Sequence, residues 1–282
     1  VILVFGQSGQ VATEIQRLAP DALCLGRAQA DLSDPEACAA VIQANAPHVV
    51  INASAYTAVD GAEQEETLAT IINGDAPKAM AEACATLRIP LIHISTDYVF
   101  DGAGHMPFAP EHMPAPLGAY GRSKLKGEEG VRGAGGTHAI LRTSWVFSAH
   151  GNNFVKTMLR LGAQRDSLRV VSDQIGGPTP ARAIAEGCLT LAQQLRAAPQ
   201  KSGVYHLSGA PDTSWAEFAR EIMVQAGQGC RIEEIPTAAY PTPARRPLNS
   251  RLDCSSLSVL GLGRPSWYAG LQDVLSDLKG SR

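Results

Sequence analysis

Tyr120 and Lys124 stand four residues apart in "YGRSK", a spacing that puts both side chains on one face of a helix. A free tyrosine titrates at about pH 10 and is a sluggish acid–base catalyst at neutral pH. An ammonium close by favours the tyrosinate and brings the phenol toward the working range. The same lysine can hold ribose hydroxyls. Upstream, "HISTDYVF" ends an apolar run with Ser95, Thr96 and Asp97, and a hydroxyl such as that of Thr96 can hydrogen-bond a carbonyl set beside the tyrosine. The chemistry this points to is proton delivery to a carbonyl oxygen.

A partner for that chemistry is suggested at the other end of the chain. "VFGQSGQVATEI" passes from an apolar run into glycines, with Gly6, Gly9 and Ala12 at three-residue intervals and an amphipathic pattern through Ile15 and Leu18. This is strand, tight turn and helix start. Backbone N–H groups at a helix N-terminus bind phosphate, and glycines let a pyrophosphate approach the main chain. The pattern G-x-x-G-x-x-A is a relative of G-x-G-x-x-G and, taken alone, also fits an ordinary strand-to-helix turn. At the end of the second strand, "LGRAQADL" carries Gly26 and Arg27 where a dinucleotide site for NAD has an acid. Arg27 suits the 2′-phosphate of NADPH, or is a solvated surface residue. Asp31 and Leu32 are placed to line an adenine pocket. In "INASAYTAVD" the small residues Ala53, Ser54 and Ala55 follow a third strand, leaving room for a cofactor against the backbone or simply for helix–strand packing.

The elements that position these groups are legible in outline. "VILVF", "ALCLG", "HVVIN", "PLIHIS", "THAILR" and "LRVVSD" read as strands with helical patterns between them. Continuous apolar strands alternating with helices indicate a parallel sheet covered on both faces. The expected fold class is therefore α/β, a Rossmann-like doubly wound parallel sheet with a smaller C-terminal α/β substrate domain. The sheet domain is expected to span residues 1–143 plus about 168–208, and the second domain about 144–167 plus 209–282. "DPEACAAVIQANA" reads as a helix with Ser33 or Asp34 at its N-cap and Pro35 in its first turn. "LATIINGDAPKAMAEACATLR" is helical with a bend or break expected at Gly74 or Pro77. "SWAEFAREIMVQA" and "YAGLQDVLSDL" are late helices, flanking a proline- and arginine-rich loop, "YPTPARRPLNSRLD".

Composition narrows the function classes. The 282 residues are 45% hydrophobic and 18% charged with a formal charge of −3, which describes a globular chain and argues against a general nucleic-acid or membrane-surface binder. The six cysteines are widely spread with no C-x-x-C, so zinc is not expected and reduced thiols in the cytoplasm are. No apolar run reaches transmembrane length. The chain opens on a strand rather than a signal peptide, and without an initiator Met.

In this order, glycine turn, strand-end Ser/Thr and Y-x-x-x-K resemble the extended short-chain dehydrogenase/reductase superfamily, and within it the dTDP-4-dehydrorhamnose reductase family. The resemblance runs nearly end to end, through "FGQSGQV", "NASAYTAVD", "STDYVFDG", "YGRSKLKGE", "LRTSWVF", "GNNFVKTML", "VVSDQIGGPT", "GVYHLSG" and "RRPLNSRLD". It implies Gly9, Gln10 and Val11 at the cofactor pyrophosphate, Asp31 and Leu32 near adenine, Ala55, Tyr56 and Thr57 along the dinucleotide, and Ile94 against the cofactor through its backbone. It implies Thr96, Asp97 and Trp145 at a dTDP-sugar substrate, Tyr120 as proton donor and Lys124 as its partner. The cofactor implied is NADPH, with NADH as a possible second donor, while Mg²⁺ and the choice between monomer and homodimer stay open. The pyrophosphate of a dTDP-sugar needs cations, for which Arg251 is a candidate ahead of Arg245 and Arg246. The loop "PFAPEHMPAPLGAYG" departs from the pattern, with Pro110 and His112 where relatives often have acids and Gly118 where Asn is common. Trp215 and Trp267 are expected to be packing residues, and His93 a hydrogen-bonded core histidine. The function implied is reduction of dTDP-4-dehydro-β-L-rhamnose. A sugar-nucleotide epimerase, and a regulatory subunit like that of methionine adenosyltransferase, are the alternatives.

Overall fold

The computed structural model describes residues 1–280. Six parallel strands form the central sheet: β1 (Ile2–Phe5), β2 (Leu23–Leu25), β3 (Val49–Asn52), β4 (Leu91–Thr96), β5 (His138–Thr143) and β6 (Gly203–His206). Their spatial order is β6-β5-β4-β3-β1-β2, so chain direction across the sheet reverses between β1 and β3. Ligands of such sheets bind outside the strand carboxyl ends at this switch point.

Alternate residues of each strand feed two separate cores, which is why the strands read as continuous apolar runs. Val4, Ile51, Ile92 and Leu141 face one side, covered by α1 (Gln10–Leu18) and a long helix, Ala181–Ala197. Leu3, Phe5, Val50, Leu91 and Ile140 face the other, covered by α2 (Pro35–Asn45), α3 (Ala76–Leu87) and α4 (Ala119–Gly133). Asp34 caps α2 by accepting the Ala37 N–H at 3.0 Å, with Pro35 at the first position. The expected break before α3 is a π-helical turn, Ile71–Asp75, that contains Gly74, and Pro77 fits within the first turn of α3.

"LRVVSD" does form a strand, Ser167–Val171, but outside the main sheet. It pairs in parallel with Arg231–Ile235. Its Leu168 and Val170 are buried while Arg169 between them is exposed, the alternation of a strand covered on one face only. Leu168 and Val170 join a third core with Phe147, Phe218, Ile222, Trp267 and Leu271. This smaller lobe is built on helices Phe154–Gly162, Trp215–Ala226 and Trp267–Gly280 and on a three-stranded sheet of Thr213–Ser214, Ile175–Gly176 and Asn249–Ser250. No helix among the described residues is long and apolar enough to cross a membrane.

Helix α4, which carries Tyr120 and Lys124, lies unusually close to its neighbours. A Cβ on Gly121 would fall 2.2 Å from the Tyr98 carbonyl oxygen, and one on Gly127 2.1 Å from that of Asn73. Replacing Gly127 by alanine should cost roughly 1–3 kcal/mol of stability, although helix propensity alone would favour alanine by about 1 kcal/mol. Gly133, whose Cβ position is clear to 4 Å, is the control and should gain stability as alanine. Urea denaturation checks both signs.

Candidate active site

A cleft of about 760 Å³ opens at the carboxyl ends of β1, β3, β4 and β5. The glycine turn forms one wall. Gly6 has φ +128°, and a Cβ there would meet the Ala12 Cβ and Ser54 Oγ at 3.1 Å. Gly9 is the N-cap of α1 and supplies no side-chain cap; the space beside it is open to 4 Å. The first N–H groups of α1 are thus left without a side-chain partner at the edge of the cleft, next to Gln10 and Val11. This is the arrangement that receives a phosphate.

Most of the residues singled out from sequence meet in this one cleft. Gly6, Gly9, Gln10, Val11, Arg27, Asp31, Leu32, Ala53, Ala55, Thr57 and Ile94 line it, as do Thr96, Asp97, Tyr120, Lys124 and Trp145. Arg27 is largely exposed at its rim and pairs with Asp31 at 3.0 Å. Tyr56 and Arg251 do not line it. The Tyr56 hydroxyl turns to donate to Glu65 Oε2 at 2.7 Å, and the Arg251 guanidinium folds onto Asn249 Oδ1 at 3.0 Å. Arg246 is engaged by Asp60 at 2.7 Å, and Arg245 is exposed.

At the Tyr120 end of the cleft, the buried Lys124 Nζ donates to the Ile94 carbonyl at 2.6 Å. Burial lowers its pKa to about 8, with the Glu128 carboxylate opposing. The Tyr120 phenol is half-buried, edge-on to Tyr98 with ring centroids 5.5 Å apart. Burial pushes its pKa above the ordinary tyrosine value, the Thr96 hydroxyl opposes this and the Asp97 carboxylate adds to it. This corrects the expectation that Lys124 lowers the phenol: desolvation dominates, and of the neighbouring groups only the Thr96 hydroxyl opposes it. A protonated phenol at neutral pH is the form needed to donate a proton.

Asp97 is 3% exposed. Thr96 Oγ1 donates to its Oδ1 at 3.2 Å, while Oδ2 has no partner. Burial raises its pKa to about 6, against hydrogen bonds from Ser250 and Thr96.

Several supporting residues were missed from sequence. Glu128, fully buried, receives Arg142 Nε at 2.8 Å on one oxygen and Arg142 Nη2 at 2.6 Å on the other, with Ser95 Oγ at 2.6 Å. Burial works against its ionisation, but Arg142 and Ser95 outweigh it and hold the carboxyl below the usual range. The signal was available: Tyr120, Lys124 and Glu128 recur every fourth residue on one helix face. Asn73 accepts the Tyr56 N–H at 2.8 Å and donates to Ser123 Oγ at 3.0 Å, tying α4 to the loop after β3. Glu63 caps α4 by accepting the Ala119 N–H at 2.8 Å. A Cβ on Gly118 would sit 2.5 Å from that carboxylate, so the glycine makes room for a cap supplied from elsewhere in the chain. The other departures are packing positions: the Pro110 carbonyl accepts from Arg142 at 3.1 Å, and His112 stands edge-on to Phe108. Trp267 is buried and donates to the Pro211 carbonyl at 2.7 Å. His93 is bonded at one ring nitrogen only, Nδ1 to Asn52 Nδ2 at 3.2 Å, and Nε2 has no partner. No group of three or more His, Cys, Asp or Glu side chains is placed to hold a metal ion among the described residues.

Residues 1–279 match the profile of the family described as RmlD substrate binding domain. The chain belongs to that family. A relative from Sinorhizobium fredii, dTDP-4-dehydrorhamnose reductase, is 44% identical over 276 residues, covering 94% of this chain and 93% of the relative. The solved structure of a dTDP-4-dehydrorhamnose reductase from Clostridium acetobutylicum superposes with a TM-score of 0.91 at 33% identity, covering 99% of both chains. That of the Bacillus anthracis enzyme, in complex with NADP, gives 0.91 at 34% identity over 98% of both. The RmlD-type fold therefore extends over nearly the whole length of this chain.

The raised pKa of Asp97 has a consequence for stability. Below pH 4 its carboxyl is neutral in both folded and unfolded chains. Between about pH 4 and 6 the folded state retains a proton that the unfolded state has lost, so stability falls as pH rises through this window. Asp97→Asn, always neutral and of the same shape, should match the parent below pH 4 and exceed it by about 1–3 kcal/mol at neutral pH. Urea titrations at several pH values check this; an unchanged gap across the window contradicts it.

Proposed function

We propose that this protein is a dTDP-4-dehydrorhamnose reductase, which reduces the C4 carbonyl of dTDP-4-dehydro-β-L-rhamnose with NADPH. One observation carries the reading: Tyr120, Lys124 and Thr96 stand at one end of a cleft whose other end is the uncapped glycine turn. Relatives of the same full length bear that activity in their names. Gly6, Gly9, Gln10 and Val11 would hold the pyrophosphate, Arg27 the 2′-phosphate, Asp31 and Leu32 the adenine side, and Ala53, Ala55, Thr57 and Ile94 the path to the nicotinamide. Tyr56 would contribute through its backbone, since its side chain points to Glu65. Bound there, the cofactor supplies hydride. Lys124 holds the nicotinamide ribose. Thr96 and Tyr120 orient the sugar carbonyl, and the Tyr120 phenol gives its proton to the oxygen as negative charge develops there. Thr96, Asp97 and Trp145 contact the sugar, and Arg251 serves the nucleotide diphosphate only if its guanidinium leaves Asn249.

The first lobe would thus serve the cofactor and the second the dTDP-sugar, with the strand Ser167–Val171 grouped with the second. The reading places the enzyme in the cytoplasm as a monomer or homodimer, with its six cysteines reduced; all six are free thiols.

NADPH oxidation by the purified protein should appear with the dTDP-linked 4-keto-6-deoxyhexose and be weak with GDP- or UDP-linked analogues. Tight retention of cofactor with no net oxidation would make it an epimerase, and no turnover would favour the regulatory-subunit alternative. Tyr120→Phe should lower kcat by roughly 10²–10⁴-fold with cofactor binding intact, Lys124→Ala should impair both, and Thr96→Val should be milder. Near-normal turnover in Tyr120→Phe would place the proton source elsewhere.

Arg27→Ala should narrow the preference for NADPH over NADH by roughly ten- to a hundredfold, mainly through weaker NADPH binding. Titrations with the two cofactors decide it; an unchanged ratio would make Arg27 a surface residue.

A further inference from the structure

We propose that Trp215 and Gly176 are positioning residues for the sugar end of the substrate, acting through Trp145. The inference rests on the reductase reading. Thr143 at the end of β5 pairs directly with Thr96 at the end of β4, and Trp145 follows two residues later. Neighbouring strands lie about 4.8 Å apart, so the indole borders the Thr96–Tyr120 end of the cleft rather than the glycine turn. It is there that a hexose carbonyl must sit for Tyr120 to reach it.

Trp145 is held in a conformation that a bulky residue rarely adopts. Its φ is +48°, in the left-handed region that favours glycine. The backbone around it is fixed on both sides: Ser144 Oγ donates to the Gly177 carbonyl at 2.8 Å, and the Thr179 N–H donates to the Trp145 carbonyl at 3.1 Å. The indole itself is clamped. Trp215 stacks on it at a centroid distance of 3.6 Å and an angle of 11°, and Phe154 backs Trp215 at 4.5 Å. On the other element, a Cβ at Gly176 would lie 2.9 Å from Trp145 Cε2 and 3.0 Å from Cζ2. The two halves of this clamp belong to one small sheet, since Thr213–Ser214, immediately before Trp215, pairs with Ile175–Gly176.

The second lobe therefore spends a strained backbone and a paired indole on keeping one aromatic surface still at the cleft wall. An indole immobilised before binding loses little freedom when ligand arrives. What the indole still presents to the cleft, apolar ring atoms and an N–H donor, suits the C–H groups and hydroxyls of a hexose. Trp215, expected from sequence to be mere packing, becomes the residue that sets where the sugar lies.

The test compares Trp215→Leu, Trp215→Phe and Gly176→Ala with the parent, using NADPH and dTDP-4-dehydro-β-L-rhamnose, with dTDP alone as a ligand lacking the sugar. Trp215→Leu and Gly176→Ala should raise KM for the sugar nucleotide roughly tenfold, leaving kcat within about twofold and the affinities for dTDP and NADPH unchanged. Trp215→Phe should restore most of the loss. In a Trp145→Ala background, Trp215→Leu should add nothing. An active parent with unchanged KM in both variants, or additive losses in that background, overturns the clamp while sparing the reductase reading. A parent inert toward the sugar nucleotide overturns both.

Discussion

A carboxylate and a guanidinium taken out of water together set the frame for the Thr96–Tyr120 end of the cleft. Glu128 and Arg142 are 0% and 1% exposed and joined by two hydrogen bonds. Removing one partner of such a pair leaves a buried charge uncompensated and costs about 3–5 kcal/mol. The elements that hold the pair cannot slide without paying that penalty. Those elements are α4, with Tyr120 two turns and Lys124 one turn before Glu128; β4, through Ser95; and β5, which carries Arg142. Arg142 also reaches His206 on β6 at 3.3 Å. The pair thus fixes the helix of Tyr120 and Lys124 against the strand that ends in Thr96.

Much of this was legible in the sequence because the governing patterns are local. A strand buried on both faces must be apolar at every position, and a helix face repeats every fourth residue, so sheet, turns and the Tyr120–Lys124 pair could be read from spacing alone. Asp34 and Pro35 mark a helix start by short-range chemistry. What escaped depends on contacts distant in sequence. Nothing near Glu128 names Arg142 as its partner, and nothing near Gly118 names Glu63 as the cap. "LRVVSD" looked like another sheet strand because Leu168, Val170 and Val171 form an apolar cluster. Its exposed Arg169 betrays burial on one face only. Lowering of the Tyr120 pKa by Lys124 was inferred from proximity, and desolvation, which depends on the whole surrounding fold, reversed it.

The two lobes also meet at the glycine turn. Gln10, beside the uncapped N-terminus of α1, accepts hydrogen bonds at Oε1 from Ser148 Oγ at 2.8 Å and Asn153 Nδ2 at 3.0 Å. Nearby, Glu14 on the next turn of α1 meets His150 at 2.9 Å. Gly151 and Asn152 between these contacts line the cleft. A segment of the second lobe is thereby held across the wall of the first, so the geometry of the glycine turn is not a property of the first lobe alone.

The path of the chain between lobes limits how such a protein can change. After β5 the chain enters the second lobe, returns to the first through the helix Ala181–Ala197 and β6, and leaves again for the last helices. That returning helix covers one face of the central sheet with Ile184, Ala185, Cys188 and Leu191. A fragment ending at Thr143 would lack this cover and the β6 edge, and a fragment beginning at Ser144 would carry both away with it. No single cut separates one lobe from the other. The second lobe is therefore not a contiguous cassette to be exchanged in one recombination event, and changes to its side of the cleft have to accumulate by point changes and loop insertions within an interleaved chain.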